Sequence, residues 1–159
     1  SDVDEVLFLR SDKTVNKFIE RPENRKTKNK SDALKFIEKI ITEIENNKSI
    51  SWEITFINNP KMIGSICLWN FSNNLKTAEV GYALNPEFQN QGIMHDAINC
   101  VIDYGFNKLN LDKIEAFTHR KNEPSKRLLE KNGFTFIDHR MDEGNASNII
   151  FEIEKPLAL

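Results

Sequence analysis

The chain is short of several things, and each shortage removes a class of protein. Only two cysteines occur among 159 residues, Cys67 and Cys100, without a CxxC pair or histidine spacing beside them. That argues against a zinc site or a disulfide framework and for buried, reduced thiols in a cytoplasmic protein. No apolar run approaches the roughly 18 residues that cross a bilayer, and no charged-then-apolar leader opens the chain. Charge of one sign is scarce as well. A net charge of −2 with 29% charged residues supplies no general attraction to nucleic acid or to an anionic membrane. Repeats and low-complexity tracts are missing. What is present, 39% hydrophobic residues, suits one compact domain over residues 1–159 with a core that needs no staples.

Periodicity divides that domain into an ordered run of elements. Val3, Val6, Leu7 and Arg10 recur at helical spacing behind Ser1 and acidic residues, which reads as a short first helix with its start signal at Ser1. Residues 16–19 supply a last core contact, and the polar, basic stretch 21–30 reads as a mobile loop, either a plain connector or a flap near a substrate. Ser31 and Asp32 cap a second helix whose stripe is Leu34, Ile37, Ile41 and Ile44. The period then falls to two. Residues 50–57 and 62–71 form a hairpin turning through Asn58, Asn59, Pro60 and Lys61, with Trp52, Ile54 and Phe56 on one side. A third strand follows over 76–84, then a helix over 92–106 with Ile93, Ala97, Val101 and Tyr104 in its stripe, and a strand over 112–119. Pro124 opens a last helix that Gly133 stops, and strands 134–138 and 148–153 close the chain around the polar loop 140–147. The expected class is α/β, as α+β layers on a mixed, mostly antiparallel sheet.

Two places in this order carry chemistry. On the third strand Ala78, Val80, Tyr82 and Leu84 share one face, and Glu79, Gly81 and Ala83 the other. A carboxylate on a central strand works against stability, so Glu79 calls for a reason, and Gly81 inside a strand marks a bulge or a close approach. The strand then breaks at Asn85-Pro86 and passes through Gln89-Asn90-Gln91-Gly92-Ile93-Met94 into a helix. The first N–H groups of a helix have no internal partner and its dipole favours negative charge, so this loop is either a phosphate site or a plain turn.

Taken with the downstream segment NEPSKRLLEKNGF, the stretch AEVGYALNPEFQNQGIMHDA resembles the GNAT superfamily of acetyl-CoA-dependent N-acetyltransferases, in particular the branch of ribosomal-protein alanine and serine N-terminal acetyltransferases. The resemblance covers nearly the whole chain. It implies a GNAT-like sheet with splayed central strands and helices on both faces. The family's loop pattern maps onto Gln89, Gly92 and Met94; Asn90 stands where glycine is common, and Met94 departs from the wider superfamily. By resemblance, amides of Gln91, Gly92, Ile93, Met94 and His95 bind the coenzyme A pyrophosphate, with Gln89 and Asn90 shaping the loop. Asn122 touches the pantetheine arm, Ser125 lies near the thioester sulfur, and the arm itself runs along Tyr82, Ala83 and Leu84 as an added strand between this strand and 112–119. Many members place a tyrosine acid four residues after that serine; here the position is Leu129.

The reaction so implied is transfer of an acetyl group from acetyl-CoA to a primary amine by direct attack, with Glu79 as general base through water and Ser125 as general acid. An N–H of Gly81, Tyr82 or Ala83 would stabilise the developing oxyanion. The acceptor is a protein N-terminus or a small amine, and the protein is a monomer or homodimer needing no metal. Plainer roles stand beside these: Glu79 as a salt-bridged structural carboxylate, Asn122 and Ser125 as helix-capping residues, His95 as exposed surface, and Trp69 and Phe71 as core. A coenzyme-A-binding sensor without turnover is the alternative function.

Overall fold

A computed structural model describes residues 2–157. The start signal assigned to Ser1 lies outside them. The element order is α1 (Val3–Ser11), α2 (Lys30–Glu45), β1 (Ser49–Phe56), β2 (Asn59–Trp69), β3 (Thr77–Leu84), α3 (Ile93–Asn107), β4 (Lys113–His119), α4 (Glu123–Lys131), β5 (Thr135–Ile137) and β6 (Asn148–Glu154). This is the order the periodicity calls for. The strands form a six-stranded sheet in the order β1-β2-β3-β4-β6-β5, in which β3 and β4 are parallel and β6 is antiparallel to both β4 and β5. The chain groups into two compact units, one holding the residues up to Cys67 with Tyr82–Ile93, the other Leu68–Gly81 with the residues from Met94 onward.

In the first unit, Val6 and Leu9 of α1 pack with Ala33 of α2 and Met62 of β2, joined by Val15, Phe36 and Ile37. The inward face of α2 therefore runs through Ala33, Phe36 and Ile37, whereas Leu34, Ile41 and Ile44 of the expected stripe are exposed. Small Ala33 lets the α1 contact close, and contact distance outweighs residue hydrophobicity in setting which face turns in. The cap also moves: Asn29, accepting from the N–H of Asp32, starts the helix. Stretch 21–30 is tied down rather than mobile, because Arg10 donates to Thr27 Oγ1 at 2.7 Å and to the Arg25 carbonyl at 3.0 Å while lying 3.6 Å over the Phe36 ring. Burial, with Arg21 nearby, lowers the Arg10 guanidinium to about 10. Ile19, expected as a core contact, is exposed. The hairpin turns through Ile57 and Asn58, so Asn59, Pro60 and Lys61 begin β2. A two-residue turn suffices, and proline is tolerated at the start of a strand.

In the second unit, the inward face of α3 is Met94, Ile98, Val101 and Gly105. It is rotated from the expected stripe, which leaves Tyr104 exposed. Gly105 explains the rotation: a Cβ there would stand 2.9 Å from Ile114 Cδ1 and 3.2 Å from Leu111 Cδ1, so the helix lies close over β4 only with that glycine turned inward. Cys100 is exposed and Cys67 half-buried, which corrects the expectation of two buried thiols. Ile114, fully buried, anchors this core. Ile114→Ala should lower the free energy of unfolding by about 2–5 kcal/mol. Urea denaturation with an unchanged slope checks it, and a smaller loss would mean that α3 collapses into the cavity.

Candidate active site

Glu79 sits where the parallel pairing ends. The β3–β4 register takes in Thr77↔Lys113, Ala78↔Ile114 and Glu79↔Glu115, while β3 itself continues to Leu84 and β4 to His119. Pairing thus stops where the sequence reading has the strands part. Strand alternation buries Ala78 and Val80 and leaves Glu79 half-buried on the opposite face. On that face β4 and β6 continue the row, since Glu115 pairs with Glu152. Three carboxylates stand side by side across three strands. Lys113 bridges two of them, 3.3 Å from Glu115 and 3.1 Å from Glu152. Arg140 grips Glu115 with both guanidinium nitrogens, at 2.5 and 3.3 Å, and lies 3.7 Å from Glu152.

Glu79 is left out of this neutralisation. Its contact is a hydrogen bond of 3.4 Å from Asn70 Nδ2, delivered by a residue with φ +51° just past the end of β2. Asparagine tolerates that left-handed backbone better than most residues, which puts its side chain within reach of the carboxyl. Burial pushes the Glu79 carboxyl up to about 7; the Asn70 bond draws it down, and the charges of Asp142 and Glu115 push it further up. Glu115 is also raised by burial, yet Arg140 and Lys113 together hold it below the ordinary carboxylate value. Two neighbouring glutamates therefore titrate apart, as a proton-transfer group and a structural counter-ion would.

The phosphate-loop residues follow β3. Gly64 of β2 lets that strand's backbone come close, for a Cβ there would meet the Ala83 carbonyl oxygen at 2.7 Å. The N–H of Asn85 donates to the Ile63 carbonyl at 2.8 Å. Tyr82 and Ala83 are half-buried and Leu84 is buried. Beyond them Pro86–Phe88 make one 3₁₀ turn, capped by the Asn85 side chain. The side-chain amides of Gln89 and Gln91 are spent on the loop itself, their Nε2 groups donating to the carbonyls of Leu84 at 3.0 Å and Glu87 at 2.9 Å. Asn90 and Gly92 have φ +59° and +81°, so left-handed residues flank Gln91. That backbone form makes a concave row of N–H groups, and the first-turn amides of α3 at Ile93, Met94 and His95 add donors with no partner in the helix. Asn90 explains why glycine suits its position, since both residues enter the left-handed region at small cost. His95 accompanies Asn99 at 3.3 Å through Nε2, while its buried Nδ1 has no hydrogen-bond partner.

Downstream, Asn122 accepts from the Ser125 N–H at 3.2 Å, capping α4 with Pro124 in its first turn. Ser125 is half-buried. Leu129 is fully buried in the core, so position 129 of α4 offers no acid.

A family model described as the acetyltransferase (GNAT) domain matches residues 1–135. The chain belongs to this family. Among curated relatives it is 32% identical over 102 residues to the uncharacterized N-acetyltransferase YoaA of Bacillus subtilis, covering 64% of this chain and 58% of that protein. It is 30% identical over 90 residues to the putative ribosomal N-acetyltransferase YdaF of the same organism, covering 57% of this chain and 46% of that one. The chain spans about half the length of the curated relatives it matches. Its fold is that of a GNAT acetyltransferase from Bacillus anthracis, with a TM-score of 0.76 at 24% identity over 96% of this chain and 89% of the other.

The coenzyme that the GNAT family implies is acetyl-CoA, and the loop residues fit its anionic end. Nothing stands within 4 Å of where a Cβ on Gly92 would be, so space is open beside a row of N–H donors at a helix start. The sequence reading missed Asn70, Arg140 and Asp142. Their signals were weak: Asn70 stood out only as a polar residue after an apolar strand, and Arg140 and Asp142 lie in a loop whose partner strand is 25 residues away for Arg140. The alternation of Lys113 and Glu115 with apolar residues in β4 was legible.

Two outcomes follow, one for Gly92 and one for Glu79. Gly92→Ala meets no neighbouring atom, so its cost is backbone strain alone, about 1–2 kcal/mol in thermal unfolding; an unchanged midpoint would show that the loop relaxes. Because burial raises Glu79 in the folded state, its contribution is fully present below the unfolded value and is lost as pH rises through about 7. Measured against Glu79→Gln, the wild-type chain should therefore lose stability between about pH 5 and about pH 8, and parallel curves would contradict the raised carboxyl.

Proposed function

We propose that this GNAT domain is an N-acetyltransferase that moves an acetyl group from acetyl-CoA to a primary amine by direct attack, with Glu79 as general base. The observation that carries the reading is Glu79 itself, a half-buried carboxyl raised to about 7 at the end of the β3–β4 register. A carboxyl near 4.5 is a weak base for ammonium; one near 7 accepts a proton from an α-amino group of pKa about 8 with little mismatch. A lysine amine at about 10.4 is a poorer match. The acceptor class that fits best is therefore an α-amine such as a protein N-terminus, in keeping with the ribosomal N-acetyltransferase name of one relative; small primary amines form the second class.

When bound, acetyl-CoA supplies an activated thioester. The chain's own residues do the rest. N–H groups of Gln91, Gly92, Ile93, Met94 and His95 hold the pyrophosphate, with Gln89 and Asn90 fixing the loop through their own bonds and backbone. Tyr82, Ala83 and Leu84 offer main-chain groups to the pantetheine arm, and Asn122 offers its side chain. Glu79 takes the amine proton through a water, Asn70 keeps its carboxyl oriented, and Ser125 returns a proton to the departing sulfur.

Release of free thiol from acetyl-CoA tests the reading with peptides beginning in Ala or Ser and with spermidine. Turnover is expected with at least one. Glu79→Gln should lower kcat about 10²–10⁴-fold while the acetyl-CoA dissociation constant, from titration calorimetry, stays nearly constant. Binding of acetyl-CoA with no turnover on any acceptor would favour a sensor, a role that the buried Leu129 in place of an acid leaves standing.

A further inference from the structure

Loop 138–147 carries a residue that the proposed chemistry does not name. Arg140 reaches from this loop to Glu115 in the middle of β4, the two groups 25 positions apart. The Glu115 side chain is only 13% exposed, so the bidentate grip acts in a region where water screens little. Glu115 is also the register partner of Glu79 across the parallel β3–β4 pairing. Any charge left on Glu115 therefore falls on the group read as the base.

The groups facing Glu79 come from every neighbouring element. Asn70, after β2, donates to it; Glu115 on β4 and Asp142 in loop 138–147 bring negative charge. Asp142 is partly occupied, accepting from the Gly144 N–H at 2.9 Å and from Asn148 Nδ2 at 2.8 Å. Glu115 is balanced by Arg140 and by Lys113, which it shares with Glu152. Two cations thus serve two carboxylates, Glu115 and Glu152, and among the described residues none pairs with Glu79. Loss of either cation leaves one negative charge uncompensated next to Glu79.

We propose that Arg140 is a positioning residue for the acetyl transfer: by holding Glu115 as a compensated ion pair, it keeps Glu79 able to give up its proton at neutral pH and so to act as base. Loop 138–147 is then part of the proton-transfer apparatus. This rests on the reading of Glu79 as general base, and the two are separable by experiment.

The test is a carbon-13 titration of the Glu79 side-chain carboxyl in the folded protein, which needs no acceptor. In Arg140→Met the carboxyl should titrate about one pH unit higher than in the wild type, the scale on which local charges move carboxyl groups. Arg140→Lys, which keeps the charge, should return it most of the way. Arg140→Met combined with Glu115→Gln should also restore it, because Lys113 then compensates Glu152 and position 115 carries no charge. Arg140→Gln is neutral yet still able to donate to Glu115; it preserves the fold if the methionine variant does not, and should shift Glu79 in the same direction. An unmoved titration in folded Arg140→Met or Arg140→Gln overturns the inference. If Glu79 does move but Glu79→Gln turns over acetyl-CoA like the wild type, the coupling stands and the general-base reading falls instead.

Discussion

Like charges set side by side across three neighbouring strands are the constraint on which this molecule turns. Glu79, Glu115 and Glu152 share one face of β3, β4 and β6, and facing carboxylates destabilise a sheet unless something neutralises them. Lys113 and Arg140 neutralise two. The third is supported by a neutral donor, Asn70, which orients the carboxyl without supplying positive charge. The opposite face of the same strands is apolar, with Ala78, Ile114 and Ala116 buried. That burial supplies the stability that lets the polar face carry an uncompensated acid.

The consequence is a division of labour between residues of the same type. A glutamate beside Arg140 and Lys113 stays ionised and structural; a partly buried glutamate that no cation among the described residues pairs with holds its proton until near-neutral pH. Chemistry at an amine needs the second kind. The loop before α3 presents backbone groups instead. Asn90 and Gly92 take left-handed conformations, and the side chains of Gln89 and Gln91 close back on the loop, so N–H groups rather than side-chain cations are left for an anion.

Some expectations failed for one physical cause. The faces of α2 and α3 were both misassigned, because a stripe of large apolar residues was taken as the inward side. In each helix a small residue, Ala33 or Gly105, lies on the true inward face, and at Gly105 the side chains of Ile114 and Leu111 leave no room for a Cβ. Similarly, the basic stretch 21–30 looked mobile by composition, yet Arg10 binds it from α1, a contact no local pattern announces.

What the amino-acid order determined by itself was the succession of elements, the break at Asn85-Pro86, the glycine-containing loop before α3, the Asn122 cap of α4, and the oddity of Glu79 on a strand. These are local matters, governed by side-chain periodicity, backbone φ preferences and the bonds a residue makes within a few positions. Only the tertiary structure decided which residues surround Glu79. Strand register aligns it with Glu115, Asn70 reaches it from the end of β2, and loop 138–147 brings Arg140 back over β4. Electrostatic surroundings depend on distance in space, and positions 79, 115 and 140 become neighbours only when the sheet has formed.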